Sequence, residues 1–316
     1  MADSSEPAPY AEGVRVQWDE LPKRLQSTIG ARLGSPVIAA VTQPGGFSPA
    51  LAARVTTAAG DHAFVKAVPP DRNPDSPEIY RQEVVIAARL PASLPVPCFL
   101  WSLDDGPGGW VVLAFEDLEG RHPRHPWDAA DLQTVQRAMD ELAVRLTPAP
   151  VEAPAAAEHF RSWRGWEALR EQPTDLDDWT ATHLETLSRL EAAAPAAVVG
   201  RTLLHMDLRA DNILLTVEGA RFFDWPWASI GAPWVDPLLF APSVEMQGGP
   251  AAADVFAASA AGATAPHDAV VAALASFTGM LIYLSRQPPP PGLPTLRAFQ
   301  AAQAAPSLAW LKRLVS

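Results

Sequence analysis

Residues 203–236 read LLHMDLRADNILLTVEGARFFDWPWASIGAPWVD, and the spacing of the polar residues in this stretch decides how the rest of the chain is read. His205, Asp207 and Asn212 make the pattern H-x-D-x-x-x-x-N. An apolar run, 213–217, follows, then a turn at Glu218-Gly219, and a second run, 221–223, ends at Asp224. Two short runs around a glycine turn predict a paired hairpin. That hairpin would return Asn212 and Asp224 to one end, facing one metal site. Asp and Asn also form ordinary turns by bonding nearby backbone, so the string alone is compatible with a plain loop.

Phosphoryl transfer from ATP requires a carboxylate that orients the acceptor hydroxyl and two oxygen-bearing side chains that hold Mg²⁺ across the phosphates. Asp207, Asn212 and Asp224 match that set. The stretch resembles the aminoglycoside phosphotransferase family, small-molecule kinases that share the protein-kinase fold. In that family the loop commonly reads H-G-D-x-H-x-x-N, and an aromatic residue often follows the metal aspartate, as in Asp224-Trp225 here. This chain departs at Met206, Arg209 and Asp211, none of them a metal ligand in the family. The resemblance implies that Asp207 is the base, that Asn212 and Asp224 hold Mg²⁺, and that Asp236 bonds backbone near the loop. Arg209 either donates to the γ-phosphate or pairs with Asp211 or another loop carboxylate. His205 either buttresses the loop or packs.

The amino-terminal half supports the same reading. Strands are predicted over 35–42, 50–57 and 62–68, with the turn QPGGFSP at 43–49 between the first two. Glycines let backbone amides reach phosphates without a Cβ in the way, although a Gly-Gly turn is common in any hairpin. By resemblance, Gly45 and Gly46 form the phosphate loop and Ser48 is an extra donor. Alternation places Phe64, Lys66 and Val68 on one face. A lysine between two apolar neighbours needs an anion if that face is buried. By resemblance that anion is the α and β phosphates. In the helix predicted over 77–90, Ile79, Glu83, Ile86 and Leu90 share a stripe, so Glu83 lies on the core side and is the available partner for Lys66. Strands over 97–104 and 110–117 complete a five-stranded antiparallel sheet. The segment FEDLEG, 115–120, which includes Glu116, is by resemblance the hinge against the adenine edge.

The remainder predicts helices. Leu132, Val135, Met139, Leu142 and Leu146 give a core face to 128–147. Further helices are expected over 158–170, 175–190 and 269–285, and two short ones after the stiff proline connector 288–291. His122, His125, His159 and His183 show no metal-ligand spacing. The expected fold is α+β in two lobes, a nucleotide-binding lobe 1–117 and a mainly helical lobe 118–316, with ATP and Mg²⁺ between them.

At 316 residues the chain exceeds the size of a single core, and 48% of it is apolar. A net charge of −12 and a pI near 5.0 disfavour nucleic acid and anionic membranes as partners. The lone cysteine, Cys98, excludes an internal disulfide and a thiolate metal cluster. The start, MADSSEPAPYAEG, lacks a basic segment followed by an apolar one. The uncharged segment 269–285 falls short of the ~18–20 residues of a membrane span, so a soluble, cytoplasmic protein is expected. The expected activity is ATP-dependent phosphorylation of a small-molecule hydroxyl. Three carboxylates among Thr174, Asp175, Leu176, Asp177 and Asp178 favour a cationic acceptor if they line its site, or else mark a helix start. A protein kinase is disfavoured because Trp-Pro follows Asp224 and only eleven residues separate it from Asp236. A pseudokinase would lack Asp207, Asn212 or Asp224, and all three are present.

Overall fold

The computed structural model describes residues 11–172 and 176–315. Its amino-terminal part contains α1 (Lys23–Arg32), β1 (Val37–Thr42), β2 (Leu51–Thr57), β3 (His62–Val68), α2 (Ser76–Ala87), β4 (Phe99–Asp104) and β5 (Val111–Phe115). The five strands form one antiparallel sheet in the order β1-β2-β3-β5-β4. Strand alternation splits its side chains between two small cores. Ala63, Val65 and Ala67 of β3 pack with Leu25 and Ile29 of α1, and Phe64 and Val68 pack with Tyr80 of α2. Lys66 therefore points toward α2, where it is 8% exposed. The buried stripe of α2 is Tyr80, Glu83 and Ile86, with Ile79 only half-buried.

The carboxy-terminal part runs α3 (Ala129–Arg145), α4 (Ala156–Ser162), α5 (Gly165–Glu171), α6 (Asp178–Ala197), β6 (Thr202–Leu204), β7 (Ile213–Thr216), β8 (Gly219–Phe222), β9 (Ser229–Gly231), α7 (Val235–Met246), α8 (Ala252–Ala257), α9 (His267–Ser285) and α10 (Leu296–Val315). β7 and β8 form the expected hairpin, while β6 pairs with β9 across the loop that separates them. The single helix expected over 158–170 is broken into α4 and α5. The break seats Gly165 against α9, where an added Cβ would come within 2.0 Å of the Gly279 carbonyl. The start of α5 is then capped by the carboxylate of Glu191, which accepts from the amides of Trp166 and Glu167 at 3.0 Å each.

The two short helices expected after the proline run are instead one helix, α10, with Pro306 inside it. Proline removes one helical hydrogen bond, but burial of Pro306 and Ser307 and the 2.7 Å bond between Ser307 and Thr278 of α9 carry the helix through. α9 has the length and apolarity of a membrane span, yet every residue from 270 to 279 is buried against neighbouring helices. Ile86, Leu94 and Val96 join the large helical core, so the two parts share apolar packing beneath the sheet.

Candidate active site

The loop that leaves β6 is held from below by Asp236 in the first turn of α7. Its carboxylate accepts from the amides of His205 and Met206, both at 2.8 Å. With these bonds in place Met206 stands in the left-handed backbone region, at φ 67. His205 is fully buried. Its Nδ1 accepts from the amide of Asp207 at 3.2 Å, so Nε2 carries the proton and donates to the Phe223 carbonyl at 2.9 Å. Burial lowers its pKa to about 4, which agrees with that neutral tautomer. With no exposed surface, His205 ties the loop to Phe223, the residue before Asp224, which is the buttressing alternative for this side chain.

Asp207 is reached on both oxygens. Asn212 Nδ2 donates to Oδ2 at 3.2 Å, and Arg209 NH1 donates to Oδ1 at 2.5 Å. Burial pushes its carboxyl up to about 7 against the pull of Arg209, although part of the side chain still reaches solvent. Arg209 binds Asp211 through Nε at 3.0 Å and NH2 at 2.9 Å, which is the pairing alternative for this residue. Its guanidinium lies 5.2 Å from the ring centre of Phe47 and 5.6 Å from that of Phe299. Burial works against its charge, and the carboxylates of Asp207 and Asp211 outweigh it.

Asn212 also donates to the Asp207 carbonyl at 2.8 Å, which leaves its side-chain oxygen as the group available to a cation. The amide of Phe223 bonds the carbonyl of Asn212 at 3.2 Å, bringing the next residue, Asp224, to the same end of the hairpin. Asp224 has φ 70, a conformation aspartate tolerates better than most side chains. Its Oδ1 meets Lys66 at 2.7 Å, and Lys66 meets Glu83 at 2.5 Å and lies over the ring of Tyr80. Burial disfavours the charge on Lys66, but Asp224 and Glu83 more than restore it. Burial also raises Glu83 despite the lysine beside it. One amide oxygen and one carboxylate are hard donors of the kind Mg²⁺ takes when phosphate oxygens and water complete its shell. Among the described residues no cluster of three or more His, Cys, Asp or Glu suits a metal.

In the 43–49 turn, Gly45 and Gly46 have φ of 86° and 77°, which a side chain would strain. Ser48 Oγ is 2.9 Å from the Tyr80 hydroxyl, so it belongs to the floor shared with α2. Arg15 bonds the carbonyls of Gly45 and Ser48, the latter at 3.1 Å. Glu116 lies one residue beyond the end of β5. Its own amide donates to Cys98 at 2.8 Å and its carboxylate accepts from the Cys98 amide at 3.2 Å, so it extends the β4–β5 ladder. The following segment is stitched to β7 by reciprocal bonds between Arg121 and Leu215 at 3.0 and 2.7 Å.

Arg15, Phe47, Tyr80 and Phe299 escape sequence reading because their partners are distant in the chain. Tyr80 alone carried a local signal, one turn before Glu83 on the same helix. Of the acidic segment, Thr174 and Asp175 lie outside the described residues. Asp177 caps α6, accepting from Thr180 N at 3.1 Å and Oγ1 at 2.8 Å, and pairs with Lys312 at 2.9 Å. Burial opposes its charge, but Lys312 and Thr180 hold its carboxyl down to about 2. It also lines a cavity of about 300 Å³ with Leu176, Thr180, Ile282 and Arg286.

Comparison with known proteins bears on the family and the fold. Residues 41–274 match the model of the phosphotransferase enzyme family. No curated protein matches the chain. Among solved structures, a thermostable mutant of aminoglycoside phosphotransferase APH(4)-Ia, in ternary complex with AMP-PNP and hygromycin B, superposes with a TM-score of 0.60 at 15% identity, over 92% of this chain and 98% of that one. Spectinomycin phosphotransferase APH(9)-Ia, in complex with ADP and spectinomycin, gives 0.57 at 13% identity over 92% and 98%. Choline kinase LicA from Streptococcus pneumoniae gives 0.53 at 17% identity over 90% and 98%. At these identities the superpositions speak for the kinase-like fold, and with the family model matched over most of its length the chain belongs to the phosphotransferase enzyme family.

Proposed function

We propose that this phosphotransferase moves the γ-phosphoryl group of ATP to a hydroxyl of a small molecule in a cleft between lobes 1–117 and 118–316. The contact of Lys66 with both Glu83 and Asp224 carries the reading, because it joins the third strand of the sheet to the loop hairpin at one polar centre. Lys66 holds the α and β phosphates, with Glu83 keeping its ammonium in place. Asp207 orients the acceptor hydroxyl and takes its proton, a task suited to a carboxyl whose pKa lies near 7. Arg209 holds Asp207 Oδ1 and so fixes the direction in which the carboxylate faces the acceptor. Asn212 and Asp224 would hold Mg²⁺, which when bound neutralises charge on the phosphates.

The structural neighbours support an adenine nucleotide as donor, since they were crystallised with AMP-PNP and ADP, and they support a hydroxylated small molecule as acceptor. The short segment 225–235 leaves little room for the activation segment of a protein kinase. Burial of α9 supports a soluble protein. A screen of hydroxylated antibiotics and metabolites for acceptor-dependent ADP formation tests the proposal, with Asp207→Asn as the blank. The blank should lose roughly two to four orders of magnitude in turnover and still bind ATP. Nucleotide binding without turnover on any acceptor class would favour the rival reading, a pseudokinase acting as a binding module.

A further inference from the structure

The amino-terminal segment 12–16 and the segment 292–299 converge on the 43–49 turn. The amide of Val14 bonds the Gly292 carbonyl at 2.9 Å, and Thr295 Oγ1 exchanges bonds with the backbone of Glu12 at 3.1 and 3.2 Å. The amide of Val16 bonds the Ala50 carbonyl at 3.3 Å, at the far end of the turn. Phe47, at the turn's tip, packs edge-on against Phe299 with ring centres 5.1 Å apart. Between these anchors sits Arg15. Its guanidinium donates through NH2 to the Gly45 carbonyl and through NH1 to the Ser48 carbonyl, so one rigid fork spans the turn.

Two details indicate that this fork has a task. Arg15 Nε is buried with no hydrogen-bond partner, a cost accepted to keep the group where it is. The Gly45–Gly46 peptide is trans, so the Gly46 amide points opposite to the Gly45 carbonyl and therefore away from the guanidinium. That amide has no backbone partner among the described residues. A turn whose carbonyls are drawn to one side presents amides on the other, which is the arrangement an anion needs.

We propose that Arg15 is a positioning residue for the phosphoryl donor: by binding the Gly45 and Ser48 carbonyls it turns the 43–49 backbone so that the Gly46 amide is presented to a nucleotide phosphate. The inference rests on the ATP-donor reading above and extends it to a residue outside the loop motifs. Arg15 acts through the turn, and the planar fork matters more than the charge. A lysine at this position keeps the charge but has no fork with which to hold two carbonyls in fixed relation.

Calorimetric titration of ADP and of adenosine into the wild-type chain, Arg15→Gln and Arg15→Lys tests this, with melting temperatures as the folding control. Arg15→Gln should weaken ADP binding about tenfold, Arg15→Lys about threefold or more, and neither should change adenosine binding. Should the glutamine variant fail to fold, Gly46→Ala serves instead. It leaves Arg15 in place but puts a Cβ within 2.9 Å of its NH2, and it should give the same selective loss. Wild-type ADP affinity in Arg15→Gln or in Gly46→Ala overturns the proposal, and wild-type affinity in Arg15→Lys reduces the role to charge and overturns positioning. A wild-type chain that binds no ADP refutes the donor reading itself, and this inference with it.

Discussion

Two non-glycine residues among those described occupy the left-handed region, and both stand in the candidate active site: Met206, next to the proposed base, and Asp224, the proposed metal ligand. The related loops commonly have glycine where this chain has Met206, and the φ of 67 supplies the physical reason. Here the conformation is held by Asp236 from below and by burial of the methionine, which is 8% exposed. The two contributions separate by substitution. Met206→Ala and Met206→Gly both remove the side chain, whose burial is worth about 1.5–3 kcal/mol, so both should be less stable than the parent. Only the glycine also relieves the backbone, by about 1–2 kcal/mol, of which its larger unfolded-state entropy returns about 0.5–1. Urea unfolding should therefore rank the glycine variant above the alanine variant by about 0.5–1 kcal/mol, and the opposite order would refute the strain argument. At this scale the sequence predicts what short spacing can carry. Asn212 and Asp224 are readable because one hairpin sets their separation, Asp207 because it lies five residues before Asn212 in the same loop, and Glu83 because a helical stripe makes it the partner of Lys66. Arg15 and Phe299 are not readable, because what they touch is fixed by tertiary packing.

Among elements, periodicity is a good guide wherever one face meets a core. Alternation in β3 and the apolar stripe of α3 survive in the structure, β3 with the expected ends and α3 with its ends moved in by one and two residues. The departures come from contacts across the fold: β6 and β9 are too short to register alone, α4 and α5 separate to admit Gly165 against α9, and α10 runs through a proline because both of its neighbouring turns are packed. The start of α6 shows the two readings of one acidic residue being decided. Asp177 accepts from Thr180 as a helix cap and meets Lys312 at a half-exposed pair. An exposed pair contributes little, about 0–1 kcal/mol, and a cap about 1. Asp177→Asn, which keeps a capping oxygen and loses the charge, should therefore stay close to the parent in urea unfolding, while Asp177→Ala should lose about 1 kcal/mol. Equal losses in the two variants would assign the stability to Lys312 instead. The asparagine variant also isolates the charge: an unchanged Michaelis constant for a cationic acceptor would remove Asp177 from acceptor recognition.

For the whole molecule, the question is whether the two parts unfold separately, as their separate small and large cores would allow. Four links oppose separation. Lys66 pairs with Asp224. Ile86, Leu94 and Val96 enter the large core, with the Phe222 amide bonded to the Pro95 carbonyl at 2.9 Å. Arg121 and Leu215 tie the segment that follows β5 to β7. The segment 291–299 returns to the sheet side, where Asn73 bonds the Pro291 carbonyl at 3.2 Å and Phe299 meets Phe47. Releasing the sheet would expose apolar surface from the large core and leave Lys66 without Asp224, so neither part should unfold at no cost to the other. Chains of this length often unfold in steps, so a single transition is a demanding expectation. Calorimetry should nevertheless show one endotherm with calorimetric and van't Hoff enthalpies in agreement. Mg-ADP at a hundredfold excess over its dissociation constant should add about 2.7 kcal/mol to the whole transition, because the nucleotide would contact both parts. Two resolved endotherms, with Mg-ADP moving only one of them, would show that these links do not couple the two parts.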